Sequence, residues 1–183
     1  DVLFGIDQNL LGAAREAELF DPYEPADLST LDPDVVVDPS YGVTPVDRGD
    51  VCVNYDREWF AESGIEVPSS LADLTDPDYE GLLVVQNPAT STPGLAFLSG
   101  TVSVFGDPDD TEGADVAAGS GEGGDGAGIA DFTAYWEALR ANDVAVSDGW
   151  EDAYYGQFSG GSGEGDRPLV VSYATSPPVE GVY

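Results

Sequence analysis

Apolar and polar positions alternate along this chain in two ways, one typical of short buried strands and the other of amphipathic helices. Six runs of apolar or β-branched residues are bounded by Asp, Pro or Gly and have the length of buried strands. They are Val2–Ile6, Val35–Val37, Val51–Tyr55, Leu82–Gln86, Val144–Val146 and Leu169–Tyr173. Helical patterns fill most of the gaps between them. This alternation predicts an α/β fold in which helices cover the faces of a parallel or mixed sheet.

Three segments carry the helical pattern. Asn9 is predicted to cap a helix that runs to about Leu19, and Thr92 is predicted to cap a second helix, with Pro93 at its first helical position. Two stripes of apolar residues recur at helical spacing: Leu95, Leu98, Val102 and Phe105, then Ile129, Phe132, Trp136 and Leu139. Both stripes are predicted to pack on the sheet, which makes Trp136 a core residue. The segment 106–128 between them is rich in Gly and acidic residues and predicts a solvated insert.

The charge of the chain narrows its possible functions. The 183 residues include 5 Arg and 36 acidic residues, with no Lys and no His, so the formal net charge is −31. Such a surface repels phosphate backbones, which argues against nucleic-acid binding. The lack of Lys indicates adaptation to high salt, where charge repulsion is screened. No apolar run reaches the roughly 18 residues that a membrane span needs.

The absence of His and the single Cys exclude several kinds of site. A Ser-His-Asp triad and a His-ligated metal site cannot be built from this chain. Cys52 alone forms no disulfide framework and no Cys-cluster metal site. Because Cys52 lies in an apolar run, we expect a small buried side chain and not a nucleophile. We expect no metal in this chain.

Polar residues follow four of the predicted strands, where open α/β sheets bind ligands. Asp7 either caps a helix or faces such a crevice, and Thr90, Ser91 and Thr92 precede a helix whose free N–H groups favour a ligand acceptor. Trp150 lies in the first turn of a further helix between Asp148 and Glu151, and Ser172, Tyr173, Thr175 and Ser176 follow the last strand. Aromatic rings beside hydroxyls and carboxylates suit a flat cationic ligand.

These junctions carry a family resemblance. The motifs are Gly5-x-Asp7-x-Asn9, Asn87-Pro-x-Thr90-Ser91-Thr92-Pro93-Gly94, Gly149-Trp150-x-x-Ala153-Tyr154 and Ser172-Tyr173-x-Thr175-Ser176-Pro177. As an ordered set they resemble the thiamine-binding proteins of bacterial and archaeal ABC transporters. The resemblance covers nearly the whole chain apart from the insert. It implies a type II periplasmic-binding-protein-like α/β fold, with two lobes joined by crossing strands and a ligand between them.

Because members of the family are longer, the resemblance implies an incomplete middle portion of the fold. Residues 1–53 are expected to form part of the first lobe and residues 54–172 the second lobe, including the insert at 106–128. Residues 173–183 are expected to return to the first lobe. The crossing strands are expected at Val51–Tyr55 and Leu169–Tyr173.

The resemblance also implies a function and a set of residues. The expected ligand is thiamine or its phosphates, with no further cofactor, and the expected partner is the membrane permease of an ABC importer. Asp7 and Asp47 would lie beside the ligand, Ser91 and Thr92 would receive its polar groups, Trp150 and Tyr173 would stack on its rings, and Ser176 completes the set. The expected location is extracytoplasmic, in the periplasm or at the cell surface, with a membrane anchor outside the present chain.

Three alternatives remain open from the sequence alone. The adjacent Tyr154 and Tyr155 are similar to the paired phenolates with which other members of the superfold bind ferric iron. Paired Asp or Glu residues could serve as acid and base in glycoside cleavage. A structural or partner-binding domain is the third alternative, although the aromatics at the crevice edges are harder to explain in it.

Overall fold

The computed structural model describes residues 2–31, 35–36, 42–109 and 128–177. The chain divides into two compact units, Asp1–Gly49 and Asp50–Tyr183. Most of the predicted insert and the end of the predicted strand Val35–Val37 lie outside the described residues. The lobe boundaries predicted at residues 53/54 and 172/173 stay predictions.

Among its described residues, the first unit contains one α-helix, α1, at Gln8–Glu16, and a short 3-10 helix at Leu28–Thr30. α1 is capped by Asp7, whose Oδ1 accepts hydrogen bonds from the backbone N–H groups of Asn9 at 2.8 Å and Leu10 at 3.1 Å. The predicted helix is therefore confirmed, but Asp7 and not Asn9 is its cap, and it ends before Leu19. A carboxylate is a strong cap because its oxygen satisfies N–H groups that have no partner within the helix.

The predicted strand Val2–Ile6 is wrong. The segment has no regular secondary structure, and Val2, Leu3 and Phe4 are exposed. A strand is stable only beside another strand. No described strand pairs with this segment.

The second unit is built on a sheet of four strands among its described residues. The strands are β1 at Val51–Tyr55, β2 at Leu83–Gln86, β3 at Ala145–Ser147 and β4 at Leu169–Tyr173, in the spatial order β1-β4-β2-β3. β2 is parallel to both of its neighbours, whereas β1 runs antiparallel to β4, with Val51 opposite Tyr173. Four of the predicted strands are therefore confirmed, with ends shifted by at most one residue.

Helices cover both faces of this sheet. One face packs Leu83, Val85, Leu169 and Val171 against α3, at Thr92–Phe105, and α4, at Phe132–Ala141. The opposite face packs Val84 and Val170 against a π-helix at Asp152–Gln157 and the following Phe158. A shorter helix, α2, occupies Arg57–Ser63. Side chains alternate between the two faces of a strand, so odd-numbered residues of β2 and β4 face α3 and even-numbered residues face the π-helix.

The buried stripe of α3 differs from the prediction. Its buried residues include Gly94, Phe97, Thr101 and Phe105, whereas Leu95, Leu98 and Val102 are only half-buried. Apolar residues occur on several sides of this helix, so spacing alone does not select the inner side. The prediction that Trp136 is a core residue is confirmed. Its ring packs edge-on against Phe97, and its Nε1 donates to Thr101 Oγ1 at 3.0 Å.

Cys52 is exposed, so the expectation that it is buried is wrong. It lies on an edge strand, on the same side as Asn54, and its Sγ is 3.1 Å from Asn54 Oδ1. Partial desolvation and the nearby Asp50 carboxylate raise the pKa of the Cys52 thiol. A raised pKa keeps the thiol protonated and unreactive at neutral pH.

None of the helices in the described residues has the length and hydrophobicity that a membrane span requires.

Candidate ligand-binding site

The helices that follow two neighbouring strands lie on opposite faces of the sheet. β2 is followed by α3 on one face, and β3, its parallel neighbour, is followed by the π-helix on the other. Where adjacent strands are followed by helices on opposite faces, a crevice opens beyond their carboxyl ends. The ends of β2, β3 and β4 and the beginning of β1 therefore form one margin of the sheet, which we call the carboxyl edge.

Two hydrogen bonds join the loops at the carboxyl edge. The backbone N–H of Asn87 donates to the carbonyl of Ser147 at 2.8 Å, and Thr90 Oγ1 donates to the carbonyl of Asp148 at 2.6 Å. These bonds tie the loop after β2 to the loop after β3. The segments that carry Ser91 and Trp150 are thus held at a defined separation.

Three polar side chains lie in a buried row beneath the π-helix. Ser147, Gln86 and Ser172 belong to β3, β2 and β4, and their exposed fractions are 2%, 1% and 0%. Gln86 lies opposite Ser147 in the ladder, and its Nε2 donates to the Val171 carbonyl of β4 at 2.8 Å. Buried polar groups are costly unless they are hydrogen-bonded. Gln86 meets this requirement only through its Nε2, because its buried Oε1 has no hydrogen-bond partner among the described residues.

The two serines of this row hold the segment that carries Trp150. Ser147 Oγ donates to the carboxylate of Asp152, and Gln157 Nε2 donates to the same oxygen at 3.0 Å. These hydrogen bonds lower the pKa of Asp152, which keeps the group charged. On β4, Ser172 Oγ accepts a hydrogen bond from the indole N–H of Trp150 at 2.7 Å.

Trp150 is half-buried and is supported on one face. The phenol ring of Tyr154 is stacked on the indole, with centroids 5.0 Å apart and planes 16° apart. Tyr154 itself is 1% exposed and packs against Val84 and Val170. Residues four positions apart on a helical turn lie on the same side, which explains how Tyr154 comes beneath Trp150.

The second face of the Trp150 indole is not covered by Tyr155. The Tyr155 ring is perpendicular to both stacked rings, and its centroid is 5.3 Å from Trp150 and 5.4 Å from Tyr154. A ring placed over the outer face of Trp150 would lie much farther from Tyr154 than from Trp150. Tyr155 is almost equidistant from them, so it flanks the stack. The described ring contacts of Trp150 therefore leave its outer face available for a flat ligand.

Ser91 lies at the beginning of α3, on the other side of the crevice. It is the N-cap, Thr92 is the first helical residue and Pro93 the second, so the predicted cap is displaced by one residue. The Ser91 side chain makes no capping bond, and its buried Oγ has no hydrogen-bond partner among the described residues. A buried hydroxyl at a helix N-terminus is suited to a polar group of a ligand.

Tyr173 and Ser176 lie at the end of β4. Tyr173 is half-buried and follows Ser172 directly, so its side chain leaves the strand toward the α3 face, opposite to Ser172. Ser176 Oγ is 2.9 Å from Ser172 Oγ. The two predicted stacking residues, Trp150 and Tyr173, therefore approach the carboxyl edge from opposite faces of the sheet.

Acidic residues lie at both ends of the sheet, but the arginines of the second unit lie at only one. Asp50, Asp148, Glu151 and Asp152 lie at the carboxyl edge. The arginines of the second unit lie at the other end: Arg57 follows the end of β1, Arg140 precedes β3, and Arg167 donates to the carbonyls of Leu83 and Asp143. The carboxyl edge of this unit is thus negative, which favours a positively charged ligand.

The structure brings together five of the seven predicted site residues. Ser91, Thr92, Trp150, Tyr173 and Ser176 all lie at the carboxyl edge of the second unit. Asp7 and Asp47 belong to the first unit, where Asp7 caps α1 and Asp47 is exposed in a segment without regular secondary structure. The ligand contacts of all seven residues stay predictions.

The sequence analysis missed the supporting roles of two residues. Tyr154 could have been found, because its spacing of four from Trp150 is a helical signal. The hydrogen bond from Trp150 to Ser172 could not have been found, because it joins residues 22 positions apart that only the fold brings together.

Among the described residues, no cluster of three or more His, Cys, Asp or Glu side chains could hold a metal. Tyr154, the predicted iron ligand, is buried beneath Trp150.

Comparison with known proteins identifies the family. Thiamine-binding periplasmic proteins of Brucella abortus, Salmonella typhimurium and Escherichia coli K12 are 32%, 30% and 31% identical to the chain. Each alignment covers 97% of this chain but only 43%, 44% and 44% of the relative, so the chain spans less than half the length of these relatives. The solved structure of a periplasmic thiamin binding protein matches with a TM-score of 0.60 and 29% identity, over 94% of this chain and 44% of that one.

The structural match confirms the predicted fold, an α/β fold of the type II periplasmic-binding-protein kind. The relatives are named for thiamine, which supports the thiamine prediction and lends nothing to the ferric-iron alternative. The family match extends over residues 1–177, almost the whole chain. The chain therefore belongs to the bacterial extracellular solute-binding protein family.

Proposed function

We propose that this chain is part of the extracytoplasmic solute-binding component of an ABC importer, and that it binds thiamine or a thiamine phosphate at the carboxyl edge. The observation that carries the proposal is the half-buried Trp150 indole, which is supported by Tyr154 on one face and has no described aromatic ring stacked on the other. Thiamine has two flat aromatic rings, one of which, the thiazolium, carries a positive charge, and an aromatic face attracts such a cation. In this proposal the protein binds its ligand and performs no chemistry on it.

The charge of the carboxyl edge supports a cationic ligand. Asp148, Glu151 and Asp152 are exposed on either side of Trp150, and the arginines of the same unit lie at the far end of the sheet. A carboxylate near the thiazolium ring would add to the attraction of the indole face. Ser91 Oγ and the N-terminus of α3 would receive the hydroxyl or phosphate group of the ligand.

The proposed residue roles follow from this arrangement. Trp150 and Tyr173 stack on the ligand rings from the two faces of the sheet, while Ser91, Thr92 and Ser176 contact polar groups. Asp7 and Asp47 would contribute from the first unit. The partner is the membrane permease, to which the loaded protein delivers its ligand, and the location outside the cytoplasmic membrane follows from that task.

The test is calorimetric titration of thiamine into the full-length protein in molar KCl, beside a Trp150→Ala variant. We expect micromolar or tighter binding for the unaltered protein. Loss of the stacked face costs on the order of 1 to 3 kcal/mol, so the variant should bind about tenfold to a hundredfold more weakly. Thiamine monophosphate is titrated in parallel to compare the two ligands.

A Trp59→Ala variant is the matched control. Trp59 is also half-buried and packs edge-on against Phe60, but it lies in α2, at the end of the sheet opposite the carboxyl edge. Its removal should leave thiamine affinity unchanged. No heat with the unaltered protein contradicts the proposal, and a visible absorbance band on adding ferric iron would favour the tyrosinate alternative instead. Equal losses in the two variants would contradict the assignment of the site to Trp150.

A further inference from the structure

Ser172 is a fully buried serine near the end of β4. Ser172 is 0% exposed, so its hydroxyl cannot contact a ligand from this position. It is nevertheless engaged in two hydrogen bonds, one from Trp150 Nε1 at 2.7 Å and one shared with Ser176 Oγ at 2.9 Å. Both partners are residues that the proposed function places beside the ligand.

The direction of the bond between Trp150 and Ser172 is set by the chemistry of the indole. An indole nitrogen donates only, so Ser172 Oγ must accept from Trp150. Ser172 Oγ also lies 2.9 Å from Ser176 Oγ, and either hydroxyl can donate in that bond, because a serine oxygen has two lone pairs. Hydrogen bonds thus connect Trp150 to Ser172 and Ser172 to Ser176.

Two contacts together define the orientation of Trp150. Stacking on Tyr154 fixes the plane of the indole, but a stacked ring can still turn or slide within that plane. The bond to Ser172 fixes the direction of the N–H within the plane, because β4 is a central strand of the sheet and its backbone is rigid. A ring that is already held in its binding orientation loses less entropy when a ligand stacks on it.

We infer that Ser172 is a positioning residue, which fixes the Trp150 indole in its binding orientation and thereby determines how tightly a flat cationic ligand is held. The inference rests on the proposed function for its effect on affinity. Its effect on the indole itself does not depend on any ligand.

The first readout uses the ligand-free, full-length protein. Hydrogen exchange of the Trp150 indole N–H is followed by NMR in the unaltered protein and in a Ser172→Ala variant. We expect the Trp150 signal to exchange at least tenfold faster in the variant. Unchanged exchange would overturn the inference, whatever the ligand proves to be.

A second buried hydroxyl provides a matched control. Thr101 is also 0% exposed and also accepts an indole N–H, from Trp136 at 3.0 Å, but in the core between α3 and α4. A Thr101→Val variant removes this bond with little change of volume. It should release the Trp136 N–H and leave both the Trp150 signal and the affinity for thiamine unchanged.

The second readout is a double-variant cycle on thiamine affinity. Ser172→Ala should weaken thiamine binding about five- to tenfold in the unaltered background. In a Trp150→Phe background, where the ring has no N–H, the same change should have no further effect. Equal losses in both backgrounds would mean that Ser172 acts independently of Trp150, and would overturn the inference.

The two readouts separate the inference from the proposed function. If the unaltered protein does not bind thiamine, the proposed function fails and the predicted effect on affinity fails with it, while the exchange experiment still decides the orientation of Trp150. If thiamine binds and Ser172→Ala retains full affinity, the proposed function stands and the inference is overturned.

Discussion

Two tyrosines of the second unit carry buried phenol groups in opposite hydrogen-bonding states. Tyr135 is 0% exposed and stacks on Phe105, and its hydroxyl has no partner among the described residues. Burial away from water raises the pKa of Tyr135, so the group stays neutral. Tyr79 is also buried, but its hydroxyl donates to the Glu66 carbonyl at 2.9 Å. The same chemical group therefore has a different effect on stability at each position.

We expect Tyr135→Phe to leave the free energy of unfolding unchanged or to raise it. A buried hydroxyl without a partner lowers stability, because it loses its hydrogen bonds to water on folding. The ring that stacks on Phe105 is retained. The measurement is urea unfolding in molar KCl, followed by circular dichroism.

Tyr79→Phe is the control for this substitution. It removes a satisfied hydrogen bond, so we expect the free energy of unfolding to fall by about 1 kcal/mol. If Tyr135→Phe proved as destabilising as Tyr79→Phe, the Tyr135 hydroxyl would have a partner in solution, and the interpretation of its burial would be wrong.

At the residue scale, the sequence revealed which side chains carry chemistry better than it revealed how they are held. Trp150 was predictable because a Trp in the first turn of a helix after a strand cannot join the stripe that faces the sheet. The burial of Ser172 and the exposure of Cys52 were not predictable, since each depends on the position of its strand within the sheet. Cys52 lies on the edge strand, and Ser172 lies on a central one.

The first turn of α3 approaches the end of β2 closely at the carboxyl edge. A Cβ atom on Gly94 would lie 2.4 Å from the Gln86 carbonyl oxygen and 2.9 Å from its carbon, and both are backbone atoms that cannot turn aside. Only glycine allows the first turn of α3 to lie so near the end of β2. The position of Ser91 over the crevice depends on this approach.

We expect Gly94→Ala to lower the free energy of unfolding by about 1 to 3 kcal/mol, because the helix must move away from the strand. Gly100 lies in the same helix, and a Cβ atom there would meet nothing within 4 Å. Gly100→Ala should therefore raise the free energy of unfolding by about 0.5 to 1 kcal/mol, the usual gain in a helix interior. Urea unfolding of both variants checks the pair, and destabilisation of equal size in both would contradict the assignment of the contact to Gly94.

At the element scale, the sequence correctly predicted the four strands that pair in the sheet. The prediction was wrong for Val2–Ile6, which pairs with no described strand. The apolar runs at β1, β2, β3 and β4 were sufficient because each finds a neighbour in the sheet. Val2–Ile6 has the same composition but no described partner, and composition alone cannot supply one. The inner stripe of α3 was also missed, because the helix is apolar on more than one side.

The π-helix is an element that periodicity could not reveal. Helical spacing in a sequence assumes 3.6 residues per turn, whereas Asp152–Gln157 is wound more widely. The bonds to Asp152 from Ser147 and Gln157 hold its two ends to each other and to β3. A spacing of four already places Tyr154 on the side of Trp150, but only the wider winding also brings Tyr155, five positions after Trp150, beside its ring. A local irregularity of the backbone therefore shapes the candidate site.

At the scale of the whole molecule, the excess of negative charge favours binding of a cation but lowers the stability of the fold. It makes the carboxyl edge attractive to a cation, but it also places carboxylates near one another over the rest of the surface. Four carboxylates lie near one another around Tyr79: burial first, and then Asp73, Asp78, Asp76 and Glu66, raise the pKa of its phenol, which stays neutral. Mutual repulsion of this kind favours the unfolded chain, in which charges lie farther apart.

Stability should therefore rise with salt, as the lack of Lys in the sequence predicts. The distance over which charges interact falls from about 10 Å at 0.1 M salt to about 3 Å at 1 M. We expect the midpoint of thermal unfolding of the full-length protein to increase steadily between 0.1 and about 2 M KCl, in the range over which the screening length shortens. Differential scanning calorimetry at a series of KCl concentrations measures this dependence.

A variant with fewer charges separates screening from the general effect of salt on apolar burial. Asp76 and Asp78 are exposed and flank the buried Tyr79, so Asp76→Asn combined with Asp78→Asn removes two repelling charges without disturbing the core. If repulsion is the cause, the variant should be more stable than the unaltered protein at 0.1 M KCl, and the two should converge as KCl approaches 2 M. Parallel curves for the two proteins would instead mean that salt acts on the apolar core, and that the acidic surface does not set the salt requirement.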